Sequence, residues 1–277
     1  MRLDGKIVLI TGAGSGIGRA LAVELSKRQA RVLLVGRRIG ALEETRALLQ
    51  RRDLGAVLRA DITDPHDRDE LVRRVRSWGR LDVLVNNAGL VVSGPLSVND
   101  VEGRRRMIDT NLVAPMELTV ALLPLLAAGA PSRIVNVGSL FGDIAFPYFS
   151  AYSATKFALR GWSDGLRREL APACIGVTYA APRGTRTAAA ESFATLAEAF
   201  AMPLDPAEMV ARQIAGAIAA DARVVYPKGI ERLFVLLQRL MPTAIDRALG
   251  RQFARATTRL GSAALPGTDV LNGREGA

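Results

Sequence analysis

The chain has 277 residues, 49% of them hydrophobic and 23% charged, enough to bury one large core and too apolar for disorder over most of its length. One cysteine, Cys174, excludes an internal disulfide framework and fits a reducing cytoplasm; with a single histidine, His66, it also argues against a metal site. The net charge of +10 fits solvated helix faces, an anionic surface or a phosphorylated cofactor; no aromatic platform accompanies the arginines, so nucleic acid is not an expected partner.

Met1-Arg-Leu-Asp-Gly-Lys-Ile7 leads straight into an apolar run and lacks the apolar stretch of a signal peptide. No uninterrupted apolar run reaches the ~18 residues of a membrane span. Lys6-Ile-Val-Leu-Ile-Thr11 reads as a strand buried on both faces. A glycine turn follows, then an amphipathic helix from Ile17 to about Gln29, and a second strand, Arg31 to Val35. Further strands are expected at Ala56–Ala60, Leu81–Asn86, Arg133–Gly138 and Ile175–Ala181, with helices between them, among them Asp67–Trp78 and Glu102–Leu126. His66, in Asp-Pro-His-Asp, falls at a polar helix start and is expected on the surface. This alternation predicts one α/β unit, residues 1–228, with a doubly wound parallel sheet. Pro182 to Pro206, rich in Ala, Thr and Glu, is expected to form a mobile lid.

From Gly229 the chain reads as a helical extension, residues 229–277, packed on the same domain. Ile230, Leu233, Phe234, Leu237, Leu240 and Met241 recur at helical spacing until Pro242. Arg247, Arg251, Arg255 and Arg259 follow at four-residue intervals, and the end from Pro266 is expected to fray. Such a stripe is first read as core or subunit interface, hence a homo-oligomer. An in-plane helix at the inner face of a membrane and a lining for a long apolar substrate are the alternatives.

Three strings carry chemistry. Gly12-Ala-Gly-Ser-Gly-Ile-Gly18 lies between a buried strand and a helix start. Its glycines let the backbone approach a pyrophosphate at the helix N-terminus, although the spacing is Gly12-x-x-x-Gly16-x-Gly18. At the end of the second strand, Val35-Gly-Arg-Arg38 offers no acid for a ribose hydroxyl. Arg37 and Arg38 instead suit a phosphate, which predicts NADP(H). Tyr152 and Lys156 stand at i and i+4 on one helix face, with Ser139 thirteen residues upstream. An ammonium about 4 Å from a phenol is worth up to about three pKa units, so Lys156 is expected to lower the pKa of Tyr152.

Taken with Asp61-Ile62, Asn86-Asn87-Ala88-Gly89 and Asn111, these strings resemble the short-chain dehydrogenase/reductase family over roughly residues 4–226. The resemblance implies a Rossmann-like sheet of about seven strands and reversible hydride transfer between a nicotinamide and a ketone or secondary alcohol. It implies catalytic roles for Asn111, Ser139, Tyr152 and Lys156: Ser139 polarises the substrate oxygen, Tyr152 transfers the proton, and Asn111 sustains a water relay. Gly12, Gly14, Ser15, Gly16, Ile17, Gly18, Arg37, Arg38, Asp61, Ile62, Asn87, Ala88, Gly89, Tyr152, Lys156, Pro182, Thr185 and Thr187 would line the cofactor. Arg183 stands where the family usually has glycine; narrowing the site, meeting an acidic substrate and pointing to solvent are its three readings. The expected partner is a small carbonyl or alcohol, with a lipid-like compound as one form. A cofactor-binding regulatory or scaffold protein without turnover is the rival class.

Overall fold

The computed structural model describes residues 1–95 and 100–260. In chain order its main elements are β1 (Ile7–Thr11), α1 (Gly16–Lys27), β2 (Arg31–Gly36), α2 (Ile39–Ala47), β3 (Gly55–Arg59), α3 (Pro65–Arg76) and β4 (Val83–Asn86). Then come α4 (Val101–Ile108), α5 (Ala114–Ala128), β5 (Ser132–Val137), α6 (Ser150–Glu169), β6 (Ile175–Ala180), β7 (Thr185–Arg186), α7 (Ala188–Glu191), α8 (Ala194–Ala199), β8 (Asp205–Pro206) and α9 (Ala207–Ala219). β9 (Val224–Val225), α10 (Glu231–Leu240) and α11 (Pro242–Leu260) complete it.

Seven strands form one parallel sheet in the order β3-β2-β1-β4-β5-β6-β9. β1, β4 and β5 are buried at every residue, as strands covered on both faces must be. One apolar layer packs α1 and α9 against the sheet through Leu21, Leu25, Ile214 and Ile218. The other packs α3, α5 and α6 through Leu71, Val75, Leu118, Leu122 and Leu166. The order reverses between β1 and β4, which opens a crevice at their carboxyl ends. Register brings Thr11, Asn86, Val137 and Ala180 to that edge, so the segments after them converge there.

α4 and α5 join into a 28-residue helix, Val101–Ala128. Contrary to the reading from uninterrupted apolar runs, it is long and apolar enough to cross a membrane, with a mean hydropathy of 1.6 in its most apolar window. Here it serves as a core helix, its buried side chains Leu118, Leu122, Leu125 and Leu126 facing the sheet layer. Its middle, Asp109–Val113, widens to a π turn, with the Ala114 amide bonded to the Asp109 carbonyl. Pro115 explains the widening: it lacks the amide that would close an ordinary turn onto the Asn111 carbonyl.

The sheet has the seven strands that the resemblance implied, but the position of the seventh and the parallel β7–β8 pair were not read from the sequence pattern. Two-residue strands carry no periodicity to read. The segment Pro182 to Pro206, expected as a lid, holds β7, α7, α8 and β8. The extension forms a helical hairpin, α10–α11, and the expected fraying from Pro266 lies outside the described residues.

Candidate active site

The crevice forms a cleft of about 650 Å³. It runs from Gly14 and Arg38 at one end, past Ser139, Tyr152 and Lys156, to Phe234 and Leu249 of the C-terminal hairpin. Every expected site residue except Gly18 and Asn111 lines it. Those two act one layer behind the surface.

At the glycine turn, Gly12 and Gly16 take positive φ, +67° and +53°, which L side chains resist. A Cβ on Gly18 would meet the Gly12 carbonyl oxygen at 2.4 Å, so Gly18 is required for helix and strand to close together. Asn87 donates its Nδ2 to the Thr11 carbonyl at 2.8 Å, and the Thr11 hydroxyl accepts from the Asn87 and Ala88 amides at 3.0 Å. The Asn-Asn-Ala-Gly string thus pins the turn. Thr187 closes over it: a Cβ on Gly16 would lie 2.8 Å from Thr187 Cγ2. The turn leaves the N-terminus of the 12-residue α1 bare at the cleft, since Ser15 makes no capping bond there.

Beside this turn Arg37 is two-thirds exposed, and its Nη1 lies 3.9 Å from Asp61 Oδ2. Arg59 donates to the Arg37 carbonyl at 3.3 Å. Three guanidinium-bearing residues, Arg37, Arg38 and Arg59, therefore meet at the ends of β2 and β3. Asp61 has its other oxygen occupied by the Thr63 amide and hydroxyl.

The reactive end is built on α6. Lys156 is 4% exposed, its Nζ donating to the Val137 carbonyl at 3.1 Å and lying 5.5 Å from the Tyr152 ring centroid. Ser139 caps a short turn, its hydroxyl accepting from the Phe141 amide at 3.1 Å. Tyr179 of β6 sets this turn from beneath, donating to the Ser139 carbonyl at 3.1 Å; a Cβ on Gly138 or Gly142 would lie 2.2 Å from its hydroxyl. Asn111 donates Nδ2 to the Leu90 carbonyl at 2.9 Å and to Thr155 at 3.1 Å, and accepts from the Leu90 amide at 2.7 Å. It locks the π turn to α6 and to the segment after β4.

The expected lowering of the Tyr152 pKa is not what these groups produce. Burial pushes Tyr152 up to about 12, against the opposing pull of its hydrogen bond with Ser139. Burial likewise holds Lys156 down at about 8, because a buried ammonium lacks water and, among the described residues, no carboxylate pairs with it. At 5.5 Å from the ring, Lys156 does not offset the loss of solvent around the phenol. The Tyr152 phenol is therefore held in its protonated form at neutral pH.

Arg183 lines the cleft, and two carboxylates of this chain hold its guanidinium. Its Nη2 donates to Asp205 Oδ1 at 2.6 Å and its Nη1 to Glu231 Oε1, tying the segment after β6 to β8 and α10. Both carboxylates raise its pKa, Asp205 the more.

Of the wall beyond Tyr152, sequence reasoning reached only Phe234, in the stripe for which an apolar substrate lining was one reading, and missed the rest. Phe141, Ile144, Phe146, Phe149 and Phe193 line it, together with Phe234, Ile245 and Leu249 of the C-terminal hairpin. The phenyl rings interlock: Phe141 stacks on Phe146 at 5.1 Å, and Phe149 meets Phe193 edge-on at 5.5 Å. A signal existed, since five of the chain's twelve Phe and Tyr residues fall between 141 and 152. Also missed was a polar knot behind α6, where Arg160 donates to Asp143 at 3.3 Å and to Tyr226 at 3.1 Å.

Comparison with known proteins agrees with this architecture. The short chain dehydrogenase family model matches residues 6–196. A Mycobacterium tuberculosis protein named as an oxidoreductase, SadH, is 36% identical over 270 residues, covering 91% of this chain and 96% of its own. A Burkholderia cenocepacia short chain dehydrogenase in complex with NADP superposes with a TM-score of 0.77 at 24% identity, over 90% of this chain and 99% of its own. A Burkholderia phymatum short chain dehydrogenase/reductase in complex with NAD gives 0.79 at 23% identity, over 86% and 94%. The chain belongs to the short-chain dehydrogenase/reductase family and is an oxidoreductase of that family.

Proposed function

We propose that this protein is an NADP(H)-dependent oxidoreductase that interconverts an apolar ketone and its secondary alcohol. The observation that carries the reading is the single cleft that joins the glycine turn to Ser139, Tyr152 and Lys156 and ends in an apolar wall.

The residues present suit a dinucleotide. The glycines leave a cradle that side chains would fill, and the α1 N-terminus offers free amides to a pyrophosphate. Gly12, Gly14, Ser15, Gly16 and Ile17 would hold the pyrophosphate, Asp61 and Ile62 the adenine, and Thr185 and Thr187 the nicotinamide end. The relatives of similar fold carry NADP in one case and NAD in the other, so the preference rests on Arg37, Arg38 and the lack of an acid at the end of β2. When bound, the nicotinamide supplies or accepts the hydride.

The chain's own groups supply the rest. The Ser139 hydroxyl donates to the carbonyl oxygen and orients it. Tyr152, protonated at neutral pH, gives its proton to that oxygen as negative charge develops there. Lys156, buried one turn along, stabilises the phenolate left behind and would hold the nicotinamide ribose. Asn111 fixes the π turn, from which protons return through water. The phenyl-lined wall selects an apolar body on the substrate and excludes water from the reacting atoms. A screen of aromatic, alicyclic and long-chain ketones with NADPH tests the reading. Cofactor binding without consumption of NADPH by any of them would favour the scaffold reading.

A further inference from the structure

The C-terminal hairpin has two sides with different fates. Inward, Val235 and Glu231 are buried, Glu231 against Arg183, while Phe234, Ile245 and Leu249 reach the cleft. Outward, the first helix presents Ile230, Leu233, Leu236, Leu240 and Met241, each more than half exposed. Among the described residues, six of the thirteen large apolar side chains that lie exposed fall between 230 and 241. Among the described residues nothing covers this patch, and an apolar face of this kind is not stable against water.

Its surroundings identify the occupant. Between Pro227 and Leu260 the chain carries seven basic residues, Lys228, Arg232, Arg239, Arg247, Arg251, Arg255 and Arg259, against two acidic ones, Glu231 and Asp246. Glu231 is buried, so Asp246 is the one exposed acid of the hairpin. Half of the chain's net charge of +10 therefore sits on an eighth of its length. Arg247, Arg251 and Arg255 are exposed and have no carboxylate within ion-pair distance among the described residues. Arg239 already faces Asp143, Arg259 donates to the Ala199 carbonyl and Arg232 lies over Tyr226, so the free charge is that of Arg247, Arg251 and Arg255, which a second copy carrying the same arginines does not complement. An anionic bilayer surface complements both features, taking apolar side chains below the headgroups and arginines among the phosphates.

We propose that the α10–α11 hairpin docks on an anionic membrane surface, with Leu233, Leu236, Leu240 and Met241 inserted and the arginines of α11 at headgroup level. Docking does not depend on the reaction proposed above. It places the cleft wall formed by Phe234 and Leu249 on the same hairpin that meets the lipid.

Sedimentation of the full chain with phosphatidylcholine vesicles, with and without phosphatidylglycerol, tests this. The parent is expected to bind the anionic vesicles and to leave them at about 1 M salt, where the screening length falls to about 3 Å. Leu233→Glu with Leu236→Glu should weaken binding at least tenfold at unchanged thermal stability. Arg247→Gln with Arg251→Gln, which spares the apolar face, should weaken it by roughly 25-fold, about fivefold for each cation near an anionic surface. Equal binding to neutral vesicles, or binding unchanged in both variants, overturns the proposal. So does a parent that ignores vesicles, whether as a monomer or as a dimer that Leu233→Glu with Leu236→Glu dissociates; the dimer would establish the subunit-interface reading.

Discussion

Replacing Arg183 by Met keeps much of its length and removes its charge, and the structure sets the consequence. Two carboxylates lose their cation at once: Asp205, 4% exposed, and Glu231, 7% exposed. Breaking a buried pair by deleting one partner costs about 3–5 kcal/mol. The Arg183 side chain is itself 25% exposed, so solvent screening places the loss near the lower end, about 3 kcal/mol. That loss is local in character. Glu231 opens α10 and Val235 is the other side chain of that helix that is buried, so the hairpin should detach before the sheet unfolds. Amide exchange in residues 231–260 should then accelerate by about a hundredfold or more, while exchange in β1, β4 and β5 stays near the parent's. A second variant separates charge from shape. Arg183 Nε, Asp205 Oδ2 and Glu231 Oε2 are buried without partners among the described residues, so the triad is costly even when intact. Arg183→Met with Asp205→Asn and Glu231→Gln should therefore recover most of the lost protection. Unchanged exchange in Arg183→Met, or no recovery in the triple variant, would refute the reasoning.

Three further outcomes are expected. Tyr152→Phe keeps the ring and removes the acid, so kcat should fall by about 10²–10⁴ with cofactor affinity largely kept, as read by steady-state kinetics and fluorescence titration. Arg37→Ala should erase most of an NADPH-over-NADH preference of roughly 10- to 150-fold, the worth of one charged hydrogen bond; equal kcat/KM for the two cofactors in the parent would defeat that assignment. Lys156 is held at about 8 in the fold against an ordinary 10.5, so the folded state disfavours its charge. The penalty is full below pH 8 and gone above 10.5, and over that window the parent should gain on the order of 3 kcal/mol relative to Lys156→Met in denaturant titrations.

The parts of this molecule that repeat a local pattern were legible in its sequence. Ile7–Thr11 is apolar at every position but the last because both of its faces are covered, and the glycine turn follows because strand and helix meet too closely for a Cβ at Gly18. Tyr152 and Lys156 share a helix face by spacing alone. What was not legible depends on partners distant in the chain. Arg183 reads as an anomaly until Asp205 and Glu231, 22 and 48 residues away, are seen around it. The aromatic wall needs Phe193 and Phe200 folded back onto Phe146 and Phe149. The Tyr152 pKa went the wrong way because spacing shows the nearby ammonium and says nothing of the solvent lost around the phenol.

The central claim is that one cleft passes a hydride to an apolar carbonyl beside Tyr152. Incubating the protein with an apolar aromatic ketone and NADPH carrying deuterium at each C4 hydrogen in turn, then weighing the product, tests it directly. The account predicts an alcohol with one deuterium on the carbinol carbon from one labelled form alone, formed by the parent and about 10²–10⁴ slower by Tyr152→Phe. Tight NADPH binding with no label in any ketone product, or equal transfer by Tyr152→Phe, would contradict it.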